Sequence, residues 1–542
     1  TNATGYYAIQ GMRVGGPYEI EVSYIGYKGQ KRENLFLSLG SPAIVNFILM
    51  EDAIQIEEVV VIAAKDAGFA DGKTGAALNV SAGKIATLPT IGRSLNDFTR
   101  LTPQSNGNAF AGTNSRFNNY SIDGNIYNNN FGLGSAQFAG GSPISLDAIE
   151  AVSVNLAPYD VRHSGFTGAA VNAVTKSGTN QFSGSVYYLL RNDQMIGTKV
   201  GDISVDPGDS KNEITGVTFG GPIIKNKLFF FASYEKEQEA VPSFLKRAAR
   251  EGETPDGLII SRVPLSEANF VRQSIQSLYG YDVGAPDGYP FASEQERINV
   301  RLDYNINAQH KFTARFNNYS AFTDVPTNGN SIRYISTRYR NTFRTGIENI
   351  NFRNNNYTND RTVTSFVGEL NSLFGDHISN QFNIGYTQIK DPKRGIPGGQ
   401  DFPMIEVLEP DATGNLLYYM TMGNELFTVG NLLENNVFNI TNNTTIYKDN
   451  HTITAGLNFE YMTFKNAFNP VFNGFYRFNS YANFVEAVIN RNPNVYPDAF
   501  AKGYALDGST TPPVDNTQFG QIGIYIQDEY RPNDRLKLTG GL

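Results

Sequence analysis

"INVRLDYNI", residues 298–306, decides the fold. Ile298, Val300, Leu302, Tyr304 and Ile306 fall on one side of an extended strand, and Asn299, Arg301, Asp303 and Asn305 on the other. One face suits lipid, the other water. "QFGQIGIYIQDEY" (518–530) repeats the pattern, with Ile522, Ile524 and Ile526 against Gln521, Tyr525 and Gln527. "TITAGLNFEYM" (452–462) does so again, with Ile453, Ala455, Leu457, Phe459 and Tyr461 against Thr454, Asn458 and Glu460. Two-residue alternation over strands of about ten residues is the mark of a transmembrane barrel.

The links between such segments carry the argument further. Candidate strands near 181–192, 212–221, 227–237, 295–306, 310–321, 361–373, 377–389, 436–447, 451–465, 518–530 and 535 onward are joined by alternating short and long links. "PIIKN", "NAQ", "GDH", "KDN" and "RPNDR" are the short ones. The long ones run to roughly 20 to 60 residues and are rich in Asn, Gly, Pro and Asp. Outer-membrane barrels pair short periplasmic turns with long outer loops, whereas a soluble sandwich has no reason to alternate its links. About eleven strands are counted, an odd number, and "RLKLTGGL" stops in mid-strand. An unpaired sheet edge cannot face hydrocarbon. The reading is therefore of a barrel that lacks its C-terminal half.

Composition agrees. The chain has 542 residues, too many for one ordinary core. Its 53 Gly, 30 Tyr and 37 Phe go with a mean hydropathy of -0.32, which describes a polar protein studded with aromatics. The longest apolar runs, Val59 to Ala64 and Leu228 to Ala232, are far short of the ~20 residues of a spanning helix. With no Trp, interfacial belts would fall to Tyr and Phe. The absence of Cys excludes disulfides and thiolate metal sites. A net charge of -8 argues against nucleic acid as a partner. "TNATGYY" shows neither an initiator Met nor a signal segment, so either a signal was removed or the N-terminus is cut.

Upstream of the barrel lie two further regions. Residues 1–52 read as short strands, "YYAI", "YEIEVSYIGY", "NLFLSL" and "AIVNFILM", of a partial β-sandwich; Ile20, Val22 and Tyr24 oppose Glu19, Glu21 and Ser23. Residues 81–180 read as a compact α+β domain. In "GRSLNDFTRL", Ser94 and Asp97 suggest a capped short helix with Leu95, Phe98 and Leu101 as its apolar face. Asp123-Gly124 should turn a hairpin, and "AIEAVSVNLAP" and "GAAVNAVTKSG" supply strands. Between the two regions stands "IEEVVVIAAK" (56–65), an apolar run followed by a Gly, Asp and Ala-rich tether.

The order of small sandwich, tethered strand, α+β domain and barrel resembles that of TonB-dependent outer-membrane receptors with a carboxypeptidase-regulatory-like N-terminal domain, the Oar-like subgroup. "LPTIGRSLNDFTRLTP", "YSIDG", "IEAVSVNLAPYDVRHSGFTGAAVNAVTKSGTNQFSGSVYYLLRN" and "GGPIIKNKLFFFASYE" resemble the plug and first barrel strands of that family. The resemblance covers essentially the whole chain. It implies a mainly β protein: a transmembrane antiparallel barrel (181–542), an α+β plug (81–180), a TonB box with its linker (53–80) and a partial sandwich (1–52). It further implies that Glu57, Glu58, Val59, Val60, Val61, Ile62 and Ala63 are the TonB box, meeting the periplasmic domain of TonB. A short exposed strand can add edge-on to a partner's sheet, and the β-branched run suits that pairing. The same run could instead be the last strand of the sandwich.

Enzymatic chemistry finds little support. Gly68 to Thr74 has three residues between its glycines where a phosphate-binding loop needs four. His163, His310, His377 and His451 show no metal-ligand spacing, and no nucleophile motif or acid–base pair stands out. No cofactor, metal or catalytic residue is expected. Arg93, Arg100, Arg116 and Arg162 are expected to pair with barrel acids such as Asp303 or Glu460. Gly165, Gly168 and Gly178 are expected to pack the plug against the wall. Asn118, Asn119, Tyr127, Asn129, Asn130 and Phe131 are candidate ligand contacts, although ordinary solvated loops explain them equally well. The function expected is energy-coupled passage of a large or scarce ligand, whether peptide, glycan, siderophore or exported protein, across the outer membrane, with lipid around the barrel. A passive adhesin or structural barrel is the alternative, and a soluble glycan-binding sandwich a third.

Overall fold

A computed structural model describes residues 5, 7, 9, 12–25, 27–37, 43–49, 77–90, 92–128, 142–204, 208–244, 246–329, 343–396, 400–533 and 536–542. The stretch 56–65, and with it residues 57–63, lies outside these, as do Asn129, Asn130 and Phe131. Near the start, β1 (Gly15–Tyr24) and β2 (Tyr27–Leu37) form an antiparallel hairpin. Tyr18, Ile20 and Val22 are half-buried while Glu19, Glu21 and Ser23 are exposed, as the alternation requires. One expectation fails here. Residues 43–49 belong to no strand, and Ile44 and Ile48 stand exposed, with no neighbouring strand among the described residues to pair with them; half of "YYAI" lies outside the described residues.

The plug follows. β3 (Ala77–Ser81), β4 (Asn119–Ile122), β5 (Asn125–Ile126), β6 (Ile149–Asn155) and β7 (Ala170–Thr175) make one mixed sheet in the order β3-β6-β7-β4-β5. The β4–β5 turn has φ of +53° at Asp123 and +85° at Gly124, the double positive φ that favours Asp-Gly. At the short helix Asn96–Thr99, Ser94 Oγ accepts from Asn96 N (3.2 Å) and Asp97 Oδ2 accepts from Ser94 N (3.2 Å), so the expected cap forms. Leu95 and Phe98 are buried, but Leu101 is exposed.

The wall is built from β8 (Ser183–Asn192), β9 (Lys211–Ile224), β10 (Leu228–Pro242), β11 (Pro290–Asn305), β12 (His310–Val325), β13 (Tyr357–Phe374), β14 (Ile378–Lys390), β15 (Leu432–Lys448), β16 (His451–Ala467), β17 (Asp515–Asn533) and β18 (Leu536–Gly541). They pair in sequence order, all antiparallel, in one path of eleven strands. Short turns at 225–227, 306–309, 375–377 and 449–450 alternate with long loops, and positive φ at Asn226, Gly375 and Asp449 tightens three of them. On β11, Ile298, Val300 and Leu302 stay 37–40% exposed while Arg297, Asn299, Arg301 and Asp303 are at most 5% exposed. The polar side is buried because the plug fills the lumen. Phe231, Tyr319, Val363 and Ile389 of the wall join the plug's core around Phe98, Phe110, Ile149, Val152 and Val154.

Four of the long loops do something composition did not predict. Ile350–Asn351, Leu416–Met422, Met404–Pro410, Phe475–Phe478 and Ala499–Ala501 form a five-stranded mixed sheet in that order, drawn from three loops. A fourth loop lays α1 (Leu265–Tyr279) against it, and Val271, Ile275, Ile350, Val407, Met420 and Phe484 share one buried core. Buried charges stitch the loops together. Glu406 accepts from Arg344 and Arg477, each on a different loop. Lys246 Nζ donates to Gly346 O (2.7 Å), Arg344 O (3.2 Å) and Asn351 Oδ1 (2.9 Å), tying α1's loop to the next.

Candidate functional site: the seam between plug and barrel

A plug that moves must be held by contacts that can be exchanged for water. Polar groups meet that need, because their desolvation offsets most of what their pairing gains. The seam's directed contacts are polar, and they run beside the apolar contact of Phe231, Tyr319, Val363 and Ile389 with the plug core. On β10 the alternation turns Phe229, Phe231, Ser233 and Glu235 inward. Glu235 becomes a hub. It accepts from Tyr187 OH (2.6 Å) and Arg297 Nη1 (2.9 Å) of the wall and from Ser145 Oγ (3.1 Å) of the plug, with Arg93 Nη2 at 3.5 Å. Arg93 also pairs with Asp147 inside the plug and lies over the Tyr187 ring at 5.1 Å. Arg297 Nε donates to Ser142 O of the plug (2.7 Å).

A second cluster sits toward the short-turn end. Asp123, fixed by its turn, accepts from Thr175 N (2.9 Å) and Thr175 Oγ1 (2.8 Å), and Arg315 Nε of the wall stands 3.6 Å away. Arg315 also donates to Glu369 at 2.7 Å. Arg301 Nη1 donates to Thr175 O (2.7 Å), and its other nitrogens hold Asp303 at 2.9 and 3.0 Å. Farther round the wall, Asn125 Nδ2 donates to Ser365 Oγ (2.6 Å), Asn317 Nδ2 to Tyr127 OH (3.2 Å), Asn435 Nδ2 to Asn128 O (3.3 Å), and Val161 N to Gln527 Oε1 (3.1 Å).

Glycine permits the closest approaches. A Cβ on Gly385 of β14 would lie 1.7 Å from Asn125 Oδ1, and one on Gly178 would lie 2.3 Å from Phe230 O. Gly178 thus packs plug against wall as expected. Gly168 and Gly165 do not: their neighbours are Asn118 and Thr113, and Asn119, within the plug.

Of the four plug arginines, Arg93 meets a wall carboxylate. Arg100 pairs with Asp97 (3.7 Å), and Arg162 Nε with Asp160 (2.9 Å), both inside the plug. Asp303 takes its cations from Arg301 and Arg13 instead, and Glu460 forms no ion pair among the described residues. The outward placement of Asn118 and Tyr127 is also corrected. Both are buried, because Asn118 is used to hold the plug backbone at Asn108 O (2.7 Å) and Ala169 N (3.1 Å), and Tyr127 meets the wall. Asn119 bonds Asn128 and Ser164 O, each at 3.1 Å. A cavity of about 630 Å³ does open beside Arg93, toward the loops, lined by charged groups such as Arg191, Glu237, Glu239 and Asp324 and by apolar ones such as Leu190, Ile214, Val241 and Phe291. Among the described residues no cluster of His, Asp and Glu could hold a metal.

Comparison with known proteins agrees with this architecture. The chain is 29% identical over 265 residues to the TonB-dependent transporter Oar of Myxococcus xanthus, a match that covers 45% of this chain and 24% of that protein. The chain therefore spans about a quarter of the length of that curated relative. Among solved structures it is similar in fold to the outer membrane transporter YddB of Escherichia coli, with TM-score 0.54, 12% identity, and 86% of this chain and 55% of that one covered. A double mutant of the ferric enterobactin receptor PfeA of Pseudomonas aeruginosa aligns with TM-score 0.50, 12% identity and coverage of 86% and 56%. The outer membrane beta barrel domain model matches residues 174–248 and 263–542. With a lipid-compatible wall of paired strands, a plug seated inside it and that match over most of its length, the chain belongs to the outer membrane beta barrel domain family and resides in the bacterial outer membrane.

Proposed function

We propose that this chain works in an energy-coupled outer-membrane receptor, in which a plug blocks the barrel until a periplasmic partner draws it aside. The observation that supports the reading is the seam: an α+β plug lies inside the wall, held there by many exchangeable polar contacts. Residues 1–52 serve as the carboxypeptidase-regulatory-like sandwich, 53–80 as TonB box and linker, 81–180 as plug and 181–542 as barrel. Glu57 to Ala63 pair edge-on with TonB's periplasmic domain. Cargo is a large or scarce ligand, drawn from peptides, glycans, siderophores or exported proteins, and no chemistry is performed on it. Similarity to a named TonB-dependent transporter supports this. The cap that four of the long loops build, the five-stranded sheet with α1 against it, favours, as a second reading, a passive adhesin, which has no need of a removable plug.

A pull-down decides between them. TonB's periplasmic domain should retain the intact receptor but not one carrying Val60→Pro and Ile62→Pro, because proline cannot donate to an edge pairing. Equal retention of both, with both barrels folded, moves the adhesin reading to the front.

A further inference from the structure

The hairpin β1–β2 touches both moving parts. Just before it, Arg13 places Nε 3.7 Å from Asp303 Oδ1 and Nη2 3.4 Å from Asn305 Oδ1, both on the wall strand β11, with its guanidinium 5.3 Å from the centre of the Phe229 ring. Tyr18 OH donates to Arg13 O at 3.0 Å, which fixes Arg13 to the hairpin. Gly15, buried at φ +97°, lies so close to Glu150 of the plug strand β6 that a Cβ there would be 2.3 Å from Glu150 Oε1.

Asp303 is the centre of this arrangement. Wholly buried, it also accepts from both sides of the Arg301 guanidinium and from Thr313 Oγ1 (2.9 Å). Arg301 in turn donates to Thr175 O at the end of plug strand β7. One carboxylate therefore aims the wall's arginine at the plug and receives the arginine of the hairpin. The polar seam explains how a plug can slide; it does not explain why a hairpin should bridge plug and wall at the mouth through which the plug would leave.

We propose that the hairpin is a catch on the plug, with Arg13 as its positioning residue: the Arg13–Asp303 and Gly15–Glu150 contacts must open before the plug can shift. In sequence, residues 57–63 stand between the hairpin and the plug, so a pull on them loads both anchors at once. The catch rests on the energy-coupled reading above, and the test separates the two.

These 542 residues contain no cysteine, so with any cysteine elsewhere in the receptor replaced by serine the engineered thiols are the only ones. In cells carrying the full-length receptor, a Val152→Cys reporter, buried in the plug sheet, is labelled with N-ethylmaleimide with and without TonB. Adding Arg13→Ala should raise the TonB-dependent labelling rate several-fold, and Arg13→Lys should bring it back toward the parent. An oxidised Gly15→Cys/Glu150→Cys pair should suppress labelling at position 152, read by peptide mass so that the pair's own thiols do not count, to the level of cells lacking TonB, and dithiothreitol, removed before the maleimide is added, should restore it. Labelling that needs TonB but is unmoved by Arg13→Ala and by the cross-link overturns the catch and leaves the receptor reading standing. Labelling that responds to Arg13→Ala and to the cross-link but not to loss of TonB upholds the catch and overturns the energy-coupled reading.

Discussion

Arg477 Nε donates to Glu406 Oε2 at 2.9 Å inside the cap, where neither side chain meets solvent, and Arg344 takes the other oxygen. Removing one member of a buried pair costs about 3–5 kcal/mol where it strands a charge, but Glu406 keeps Arg344. Arg477→Met should therefore loosen the cap by less, about 1–3 kcal/mol for the lost charged hydrogen bonds, while the barrel stays intact. Limited proteolysis of the loops beside heat-modifiable migration of the barrel would check this; loops as resistant as those of the parent would refute it.

The same carboxylate sets an acid limit. Burial alone would raise the Glu406 carboxyl, but Arg344 and Arg477 outweigh it and hold it below its ordinary value. A group depressed in the folded state contributes its full stability above its unfolded value, about 4.3 for Glu, and loses it as pH falls through the folded value. Protection factors of cap amides, with intrinsic exchange corrected for pH, should stay flat from neutral pH down to about 5 and fall only in stronger acid. In Glu406→Gln that acid step should shrink.

At the seam, Glu235→Ala deprives Arg297, Tyr187 and Ser145 of their shared acceptor. Glu237, 3.3 Å from Arg297, compensates in part, so the expected loss in plug seating is nearer 2–3 kcal/mol than the full value. Planar-bilayer recordings should show more frequent openings than in the parent. Unchanged conductance would mean that the hub contributes no retention.

Gly385→Val tests the closest approach. Its side chain would occupy the place of Asn125 Oδ1 and break the 2.6 Å bond to Ser365, at about 1–3 kcal/mol. The barrel should migrate normally on a heat-modifiability gel while plug-core amides lose protection. Val217, outward-facing on β9, offers a control in Val217→Ile, which should change neither.

Most of the wall was legible in sequence because the lipid face and the plug-filled lumen impose a two-residue period, and Ile298 to Ile306 display it openly. Turn chemistry was legible at Asp123-Gly124 and at Ser94 and Asp97 for the same local reason. The cap was not. Glu406, Arg344 and Arg477 lie on three loops, and nothing in the local pattern of any one of them announces a partner elsewhere in the chain. Glu235 was within reach: a carboxylate on the inward register of a strand needs an explanation. Asn118 and Tyr127 misled because residue type suggested ligand contact, whereas their burial serves the plug. Residues 43–49 misled in the opposite sense, since β-propensity alone does not supply a neighbour to pair with.

The weaving of the cap limits how this surface can vary through evolution. Separate loops on a barrel can lengthen, shorten or be exchanged one at a time without consequence for the others. Here Met404–Pro410 pairs in parallel with Phe475–Phe478 from the next long loop, and Leu416–Met422 with Ile350–Asn351 from the one before. A deletion in Met404–Pro410 shifts the register of a strand encoded about seventy residues away. Immune or phage pressure on this face would therefore be met by replacement of the four-loop block as a unit, with drift confined to exposed tips such as the segment around Tyr504 and Leu506.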